Sequence, residues 1–198
     1  MSIATGGYFD DGAYRDMVSW AADTPWLHGP VGFYSEGGLV VAVLLALLGL
    51  WLGRHRGLEM VLRALWVPGA MVVAIVVSSL LKGFFRESRP CLVLAVHPVE
   101  KCPGLTDYAF PSNHAVLAGA AAIALFGVAR WLGVIGVINA LVVAASRVYL
   151  GQHYPHDVVI GLVLGGLIAG LGLLAGQALL PVVLPAVTPE RGRASTPT

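Results

Sequence analysis

Long apolar stretches without any charged residue are the feature that most restricts how this sequence can fold. The clearest are GGLVVAVLLALLGLWLG, residues 37–53, and VVIGLVLGGLIAGLGLLAGQALL, residues 158–180. A helix needs about 17 to 25 apolar residues to cross the hydrocarbon core of a bilayer. The chain is 57% hydrophobic and 12% charged, whereas soluble domains carry about 25% charged residues. These stretches therefore predict an integral membrane protein.

The apolar stretches divide the chain into about five membrane-spanning segments. Each must be helical, because an open strand leaves backbone hydrogen-bonding groups unsatisfied in lipid. We therefore predict an all-α integral membrane protein, a bundle of about five transmembrane helices. The predicted segments are residues 37–53, 61–82, 113–130, 131–147 and 157–180.

The two ends of the chain differ from this transmembrane domain, which we place at residues 37–182. Residues 1–36 include Trp20 and Trp26 among several charged residues. That composition is typical of a segment lying in the headgroup region. Residues 183–198 end in the polar sequence TPERGRASTPT, which is too short to form a core. We predict an N-terminal interfacial segment and a disordered cytoplasmic tail.

Alternation of five spans predicts the orientation of the protein in the plasma membrane. One face receives residues 54–60, the turn near residue 130 and the C-terminus. Its six arginines face only two glutamates, so the positive-inside rule makes this face cytoplasmic. The other face, with residues 83–112 and 147–157, is then the periplasm or cell exterior. The charged residues on the cytoplasmic face are Arg54, Arg56, Glu59, Arg63, Arg130, Glu190, Arg191 and Arg193.

Both cysteines, Cys91 and Cys102, fall in the outer segment 83–112. No CxxC motif or ligand cluster surrounds them, so a metal site is not indicated. A disulfide closing a small loop and two unpaired thiols are both compatible with the sequence. The outer location favours the disulfide, because disulfides persist in oxidising compartments.

Three polar clusters meet on the predicted outer face: KGFFRESRP from residue 82, PSNH from residue 111 and SRVYLGQHYPHD from residue 146. They supply three cations, Lys82, Arg89 and Arg147. Ser112 and Asn113 stand at a helix start, where free N–H groups and the helix dipole attract anions. Because arginine's planar fork matches two phosphate oxygens, we interpret the set as a phosphate site.

Two histidines add the chemistry of phosphoryl transfer, one imidazole to attack phosphorus and one to protonate the departing oxygen. Pro155 suits the first position of the last helix, which places His153 just before that helix and Asp157 in its first turn. Asp157 can then orient His153, which favours His153 as the nucleophile and His114 as the acid.

Each of these residues also has a purely structural interpretation. Asp157 and Ser112 are suitable helix caps, and Lys82 and Arg147 are suitable snorkelling residues at a membrane boundary. Four other histidines lack a partner that the sequence can name, and we interpret His156 in particular as a bystander. Three charged residues are interpreted as a solvated loop face: Arg86, Glu87 and Lys101.

Together the three clusters resemble the signature of the type 2 phosphatidic acid phosphatase superfamily, membrane lipid phosphatases that share a helical core with vanadium haloperoxidases. The family patterns KxxxxxxRP, PSGH and SRxxxxxHxxxD are matched in order and spacing from Lys82 to Asp157. The resemblance covers residues from about 61 to 175. Asn113 replaces the glycine of PSGH, and asparagine tolerates a positive φ better than most residues. Many family members have six spans, where we predict five.

The resemblance implies a role for each matched residue. Lys82, Arg89, Ser112, Asn113 and Arg147 hold the phosphate, and no metal or other cofactor is implied. His153 forms a phosphohistidine, His114 protonates the leaving group and then activates water, and Asp157 orients His153. The implied partner is a phosphorylated lipid in the bilayer.

Family analogy together with the predicted orientation favours a polyprenyl pyrophosphate, such as the undecaprenyl carrier of cell-wall synthesis. Phosphatidylglycerol phosphate, phosphatidic acid, diacylglycerol pyrophosphate and a polyprenyl phosphosugar remain alternatives. A vanadate-dependent oxidation is disfavoured, because that branch of the superfamily is usually soluble. A transporter or a protein that only binds lipid is disfavoured by the presence of both His114 and His153, because anion binding alone needs only the cations. With a net charge of +1 and no basic stripe, nucleic acid is not an expected partner.

Overall fold

The computed structural model describes residues 8–187, with side chains to residue 179. This part of the chain contains α-helices and no strand, as the apolar segments predict. The helices are α1 (Asp11–Asp23), α2 (Pro25–Gly53), α3 (Leu58–Phe85), α4 (Pro90–Val93), α5 (Asn113–Phe126), α6 (Arg130–Tyr149) and α7 (Pro155–Val187).

Four of the described helices, α2, α3, α6 and α7, are long and apolar enough to cross a membrane. Large apolar side chains such as Leu44 on α2, Val72 on α3 and Leu171 on α7 are more than half exposed on the bundle surface. Soluble proteins rarely expose so much contiguous apolar surface. Lipid is the solvent for this surface.

Helix α5 has only 14 residues, about 21 Å at 1.5 Å per residue, and is too short to span the bilayer core unaided. It packs against α2, α3, α6 and α7, and most of its side chains are buried. Because protein rather than lipid surrounds it, its length need not match the bilayer. The third predicted segment is therefore a shorter helix at the centre of the bundle.

Small residues allow α5 and α7 to approach closely. A Cβ atom at Gly165 would overlap the carbonyl oxygen of Val116, and one at Gly119 would lie 2.5 Å from the carbonyl oxygen of Leu162. At Gly161 it would lie 2.9 Å from the carbonyl oxygen of Ser112. Close backbone contact at small residues is a common way for membrane helices to associate. The glycine pattern of the last segment is explained by this packing.

Helix boundaries differ from the sequence prediction in three places. α2 begins at Pro25, twelve residues before the predicted span, because Pro25 suits the first helical turn and the chain continues helical through Pro30. The turn between α5 and α6 lies at residues 127–129, before Arg130. α7 continues to Val187, past the predicted start of the tail at 183. Residues 188–198 of the predicted disordered tail lie outside the described residues.

Helix α1 packs across one end of the bundle. The Tyr14 hydroxyl donates to the carbonyl oxygen of Gly151 at 3.0 Å, and the Thr24 hydroxyl lies 2.8 Å from the Tyr149 hydroxyl. Burial raises the pKa of Tyr14 to about 12, so the phenol stays protonated and able to donate. The N-terminal segment is thereby attached to the loop between α6 and α7.

Candidate active site

All three polar clusters lie at the same end of the bundle, where α3 and α6 end and α5 and α7 begin; we call it the site end. The backbone N–H of Ser112 donates to the carbonyl oxygen of Asp157 at 3.1 Å, which joins the starts of α5 and α7. The Arg89 guanidinium reaches His153, 64 residues away in sequence. Because the helices alternate in direction, residues that are distant in sequence lie together at this end of the bundle.

His153 and Asp157 form a buried pair. Tyr154 precedes α7, Pro155 opens it, and the Asp157 side chain lies in its first turn. Asp157 Oδ2 lies 3.3 Å from His153 Nδ1 and accepts from the backbone N–H of Tyr154 at 2.9 Å. Because an ionised carboxylate only accepts, Nδ1 carries the proton and Nε2 has a free lone pair. This is the orientation expected from the sequence.

The electrostatics of the site keep His153 neutral. Burial is the largest effect, and the charges of Arg89, Lys82 and Arg147 add to it, so that the pKa of His153 is lowered well below its ordinary value of 6.5. Its side chain is 2% exposed. An imidazole held in this way keeps its nucleophilic lone pair at neutral and mildly acidic pH.

Arg89 lies directly beside His153 Nε2. Its Nη1 is 3.2 Å from that nitrogen and donates to the carbonyl oxygen of Gln152 at 2.9 Å. Its Nε and Nη2 donate to the backbone and side-chain oxygens of Asp107, at 2.9 and 3.0 Å. The guanidinium is therefore fixed on two sides and presents positive charge where the lone pair points.

Lys82 and the start of α5 border the same space. Lys82 Nζ donates to the carbonyl oxygens of Tyr108 and Ala109. The Ser112 hydroxyl is buried without a hydrogen-bond partner among the described residues. The Asn113 side chain is turned into the bundle, where its Oδ1 accepts from Ser78 Oγ at 2.7 Å. Asn113 can therefore offer an anion its backbone N–H, as expected for the position where the family pattern has glycine.

His114 and Arg147 meet at one carboxylate. Glu36 Oε1 lies 3.1 Å from His114 Nε2 and 3.5 Å from Arg147 Nη1. Arg147 is buried, donates to Ser35 Oγ at 2.9 Å, and has a buried Nε without a partner among the described residues. The carboxylate of Glu36 is 69% exposed. It lies against the two groups that an anionic substrate would be expected to contact.

The geometry of two histidines among fixed cations agrees with a profile comparison, in which the PAP2 superfamily matches residues 63–180. This chain belongs to the PAP2 superfamily. It is an integral membrane protein of a lipid phosphatase family, with the three signature clusters of that family at one end of a helical bundle.

Curated relatives of this PAP2 protein carry related names. An undecaprenyl-diphosphatase of Sulfolobus acidocaldarius is 36% identical over 106 residues, 52% of this chain and 50% of that protein. The undecaprenyl-diphosphatase BcrC of Bacillus subtilis is 34% identical over 145 residues, 73% of this chain and 72% of that protein. A decaprenylphosphoryl-5-phosphoribose phosphatase of Mycobacterium tuberculosis is 36% identical over 131 residues, 65% of this chain and 68% of that protein.

The fold is also found in a solved structure. LpxE of Aquifex aeolicus superposes with a TM-score of 0.68 at 22% sequence identity, over 88% of this chain and 99% of that chain. At this identity the similarity concerns the fold. It agrees with the all-helical bundle derived from the apolar segments.

Several polar residues at the PAP2 site were missed by sequence reasoning. Asp107 fixes Arg89, Glu36 contacts His114 and Arg147, and Glu100 Oε2 lies 3.8 Å from Arg147 Nη1. Glu36 lies in the segment that was predicted to precede the first span. These residues lie outside the three clusters, so only the fold brings them to the site.

Two expectations about residues near Asp157 are wrong. Glu87 was expected on a solvated loop face, yet its side chain is 12% exposed and its Oε1 lies 3.1 Å from His156 Nε2. His156 was expected to lack a partner, yet it also contacts Asp10 and Asp157. These carboxylates converge from separate segments, because the bundle end brings α1, the loop after α3 and the start of α7 together.

The ligand atoms of Glu87, His156 and Asp157 lie within 4.8 Å of one another, the one such grouping of potential metal ligands among the described residues. Both nitrogens of His156 are engaged by carboxylates.

The structure also pairs Cys91 with Cys102 in a disulfide, with Cα atoms 6.0 Å apart. The disulfide closes the loop between Arg89 and Asp107, two residues that contact each other at the site.

Proposed function

We propose that this PAP2 protein is a polyprenyl pyrophosphate phosphatase that works through a phosphohistidine at His153, with undecaprenyl pyrophosphate as its substrate. The observation that carries the proposal is the orientation of His153. Its Nδ1 faces Asp157, and its Nε2 faces the Arg89 guanidinium. A neutral, oriented imidazole beside a fixed cation is what nucleophilic attack on an anionic phosphorus centre requires.

In the first step, the terminal phosphate of the lipid pyrophosphate binds among Lys82, Arg89 and Arg147. Further donors come from the Ser112 hydroxyl and the first backbone N–H groups of α5, including that of Asn113. The His153 Nε2 lone pair attacks the terminal phosphorus. The bond from phosphorus to the bridging oxygen breaks, and that oxygen leaves with the lipid monophosphate.

His114 is the group that we assign to the leaving oxygen. It lies two residues after Ser112, in the first turn of α5, and its Nε2 lies 3.1 Å from Glu36 Oε1. When the substrate displaces Glu36, Nε2 becomes free to donate its proton to the bridging oxygen. Proton donation to a developing alkoxide or phosphate contributes typically about 10²–10⁴-fold in rate.

In the second step, water attacks the phosphohistidine. His114, now unprotonated, takes a proton from this water, and the bond between phosphorus and Nε2 breaks. Inorganic phosphate leaves and His153 returns to its neutral form. In both steps, charge on the transferring phosphoryl group is stabilised by the fixed guanidinium groups and Lys82. These residues supply the chemistry without a metal, which is part of the proposal.

The choice of substrate rests on the names of relatives and on the predicted orientation. Two of the relatives reported above are named undecaprenyl-diphosphatase. The positive-inside rule assigns the site end to the outer face and the C-terminus to the cytoplasm. A carrier lipid that delivers its cargo outside the membrane leaves its pyrophosphate form on that face.

A second candidate, a polyprenyl phosphosugar, is favoured by the Mycobacterium tuberculosis relative, named for a decaprenylphosphoryl-5-phosphoribose. The same site would then transfer the terminal phosphoryl group of the phosphosugar to His153, and the sugar oxygen would leave with the lipid after protonation by His114. Phosphatidylglycerol phosphate, phosphatidic acid and diacylglycerol pyrophosphate are the other substrates that the chemistry allows, because each presents a terminal phosphate group.

The test is phosphate release by the full-length protein in detergent from a panel of these lipids, with and without a chelator. We expect the largest kcat/KM for undecaprenyl pyrophosphate and no loss with chelator. Preference for the phosphosugar would support the second candidate. Loss of activity with chelator would refute the metal-independent mechanism, and no release from any lipid would refute the phosphatase assignment.

A further inference from the structure

A second histidine, His156, lies beside Asp157, the carboxylate that orients His153. Three carboxylates surround His156, and we call these four residues the His156 cluster: Asp10, Glu87, His156 and Asp157. His156 Nδ1 lies 3.0 Å from both Asp10 oxygens, and Nε2 lies 3.1 Å from Glu87 Oε1. Asp157 Oδ1 lies 3.4 Å from the same Nε2.

The hydrogen-bond pattern assigns a charge to His156. An ionised carboxylate accepts hydrogen bonds and donates none, so each ring nitrogen that faces one must carry a proton. Nδ1 faces Asp10 and Nε2 faces Glu87, which makes the ring a donor at both nitrogens. His156 is therefore an imidazolium in this arrangement, with its positive charge shared among three carboxylates.

The position of His156 makes this charge unusual. It is the second residue of α7, and the positive end of the helix dipole disfavours a cation there. Asp10 offsets this by accepting from the backbone N–H of His156 at 2.8 Å. The ring also stacks on Tyr154, with centroids 5.4 Å apart, and has Tyr8 and Phe110 within 6 Å. Several segments thus hold one charged ring in place.

Asp157 connects this ring to the nucleophile. Its Oδ2 faces His153 Nδ1 and the backbone N–H of Tyr154. Its Oδ1 is fully buried and has no hydrogen-bond donor among the described residues. His156 Nε2 lies 3.4 Å from Asp157 Oδ1. It therefore provides positive charge at the Asp157 oxygen that does not contact His153.

We propose that His156 is a positioning residue of this enzyme: its imidazolium holds the Asp157 carboxylate, and through Asp157 it fixes the ring of His153 for attack on phosphorus. The inference rests on the proposed function. Asp10 and Glu87 support it by holding the ring of His156 from either side. Asp10 brings the N-terminal segment into this arrangement, since it directly precedes α1.

The test is a double-mutant cycle on the full-length protein in detergent, with labelled undecaprenyl pyrophosphate, or the panel lipid that the wild type hydrolyses best. His156→Gln should lower kcat by about 10–100-fold, the size of effect found when a residue that orients a metal-ligating side chain is lost. KM should change little, because His156 contacts none of the proposed phosphate ligands. In an Asp157→Asn background, His156→Gln should have almost no further effect.

Non-additivity distinguishes positioning from general damage to the fold, because an effect exerted through Asp157 vanishes when Asp157 is already changed. Inhibition by vanadate, a phosphate analogue, should be unchanged in His156→Gln. His97→Gln is the control, since His97 is an exposed histidine in the loop between α4 and α5, and it should match the wild type. Asp10→Asn gives a second variant, with a smaller loss of kcat that also vanishes beside Asp157→Asn.

Equal kcat in the wild type and in His156→Gln would overturn the inference. So would equal fold losses from His156→Gln with and without Asp157→Asn, because that additivity indicates a structural role. Both results would leave the phosphatase assignment standing. Failure of the proposed function is recognised separately, by a wild-type protein that hydrolyses no lipid in the panel.

Discussion

At the scale of single residues, His153 combines burial with a free lone pair. Asp157 accepts a hydrogen bond from its Nδ1, and burial together with the surrounding cations holds the pKa of His153 well below 6.5. In the proposed mechanism the same cations attract the phosphate. One set of charges would then both bind the substrate and keep the nucleophile unprotonated.

The depressed pKa predicts a specific pH dependence. In the His114→Ala variant, with a substrate that has a good leaving group, phosphoenzyme formation should stay level as the pH falls from 7 to below 6.5. The attacking imidazole, His153, is neutral throughout that window. A rate that follows a protonation near pH 6.5 would contradict this. The measurement is rapid-quench labelling across the pH series.

The free energy of unfolding should also depend on pH in this window, and the depressed pKa of His153 sets the direction of the change. In the unfolded chain His153 takes up a proton near pH 6.5, while in the folded protein it does not. The unfolded state then binds more protons, so stability falls as the pH drops below 6.5, by at most about 1.4 kcal/mol per pH unit. Thermal unfolding of His153→Gln should show a weaker dependence than the wild type.

Glu36 predicts a change in substrate affinity. Its carboxylate lies against His114 and Arg147, where in the proposed mechanism it would compete with an anionic phosphate. Because exposed ion pairs are worth about 0.2–1 kcal/mol, Glu36→Gln should lower KM by about 1.4–5-fold. Glu59→Gln, which changes the exposed pair of Glu59 with Arg63, is the matched control. A higher KM for Glu36→Gln would instead assign Glu36 a role in binding.

At the scale of elements, the apolar segments predicted which parts of the chain are helical, and the motifs predicted which polar residues lie together at one end of the bundle. Pro155 and Asp157 were placed correctly because the start of a helix has a local signature. The end of α5 was misplaced because α5 is surrounded by protein, and hydropathy does not distinguish protein from lipid. The start of α2 was misplaced because hydropathy marks only the apolar part of a helix that begins at Pro25. Asp10, Glu36 and Glu87 reach the site through tertiary packing, which leaves no pattern in the sequence.

The contact between α5 and α7 predicts a strong effect of one methyl group. Gly165→Ala places a Cβ against the backbone of Val116 and Ala120, so the helices must separate. Overpacking costs about 1–3 kcal/mol, and we expect a lower unfolding temperature in detergent together with reduced activity. Gly176→Ala is the control on the same helix, because a Cβ there meets no atom within 4 Å. Equal unfolding temperatures for the two variants would contradict the packing account.

At the scale of the whole molecule, alternating helices bring three distant clusters to one end of the bundle, and α1 packs across that end. The disulfide between Cys91 and Cys102 lies in the loop that carries Arg89 and Asp107. The ends of the bundle helices thus form the base of the site, and the loops and α1 surround it. The side of the membrane that this end faces determines which pool of lipid the enzyme meets.

Thiol labelling tests the orientation. After mild reduction, an impermeant maleimide applied to intact cells should label Cys91 and Cys102, because the proposal puts the site end outside. A single cysteine introduced at Arg56, in a background without the two natural cysteines, should be labelled only after the cells are opened. Labelling with the opposite pattern would place the site in the cytoplasm.

The central claim is that His153 carries the phosphoryl group. Wild-type protein mixed with undecaprenyl pyrophosphate labelled in its terminal phosphate, then quenched in alkali, should yield a phosphopeptide in which mass spectrometry locates the phosphate on His153. The label should be absent from His153→Ala and should persist longer in His114→Ala, where attack by water is slowed. Labelled phosphoenzyme in the His153→Ala protein, or phosphate located on another residue, would contradict the account.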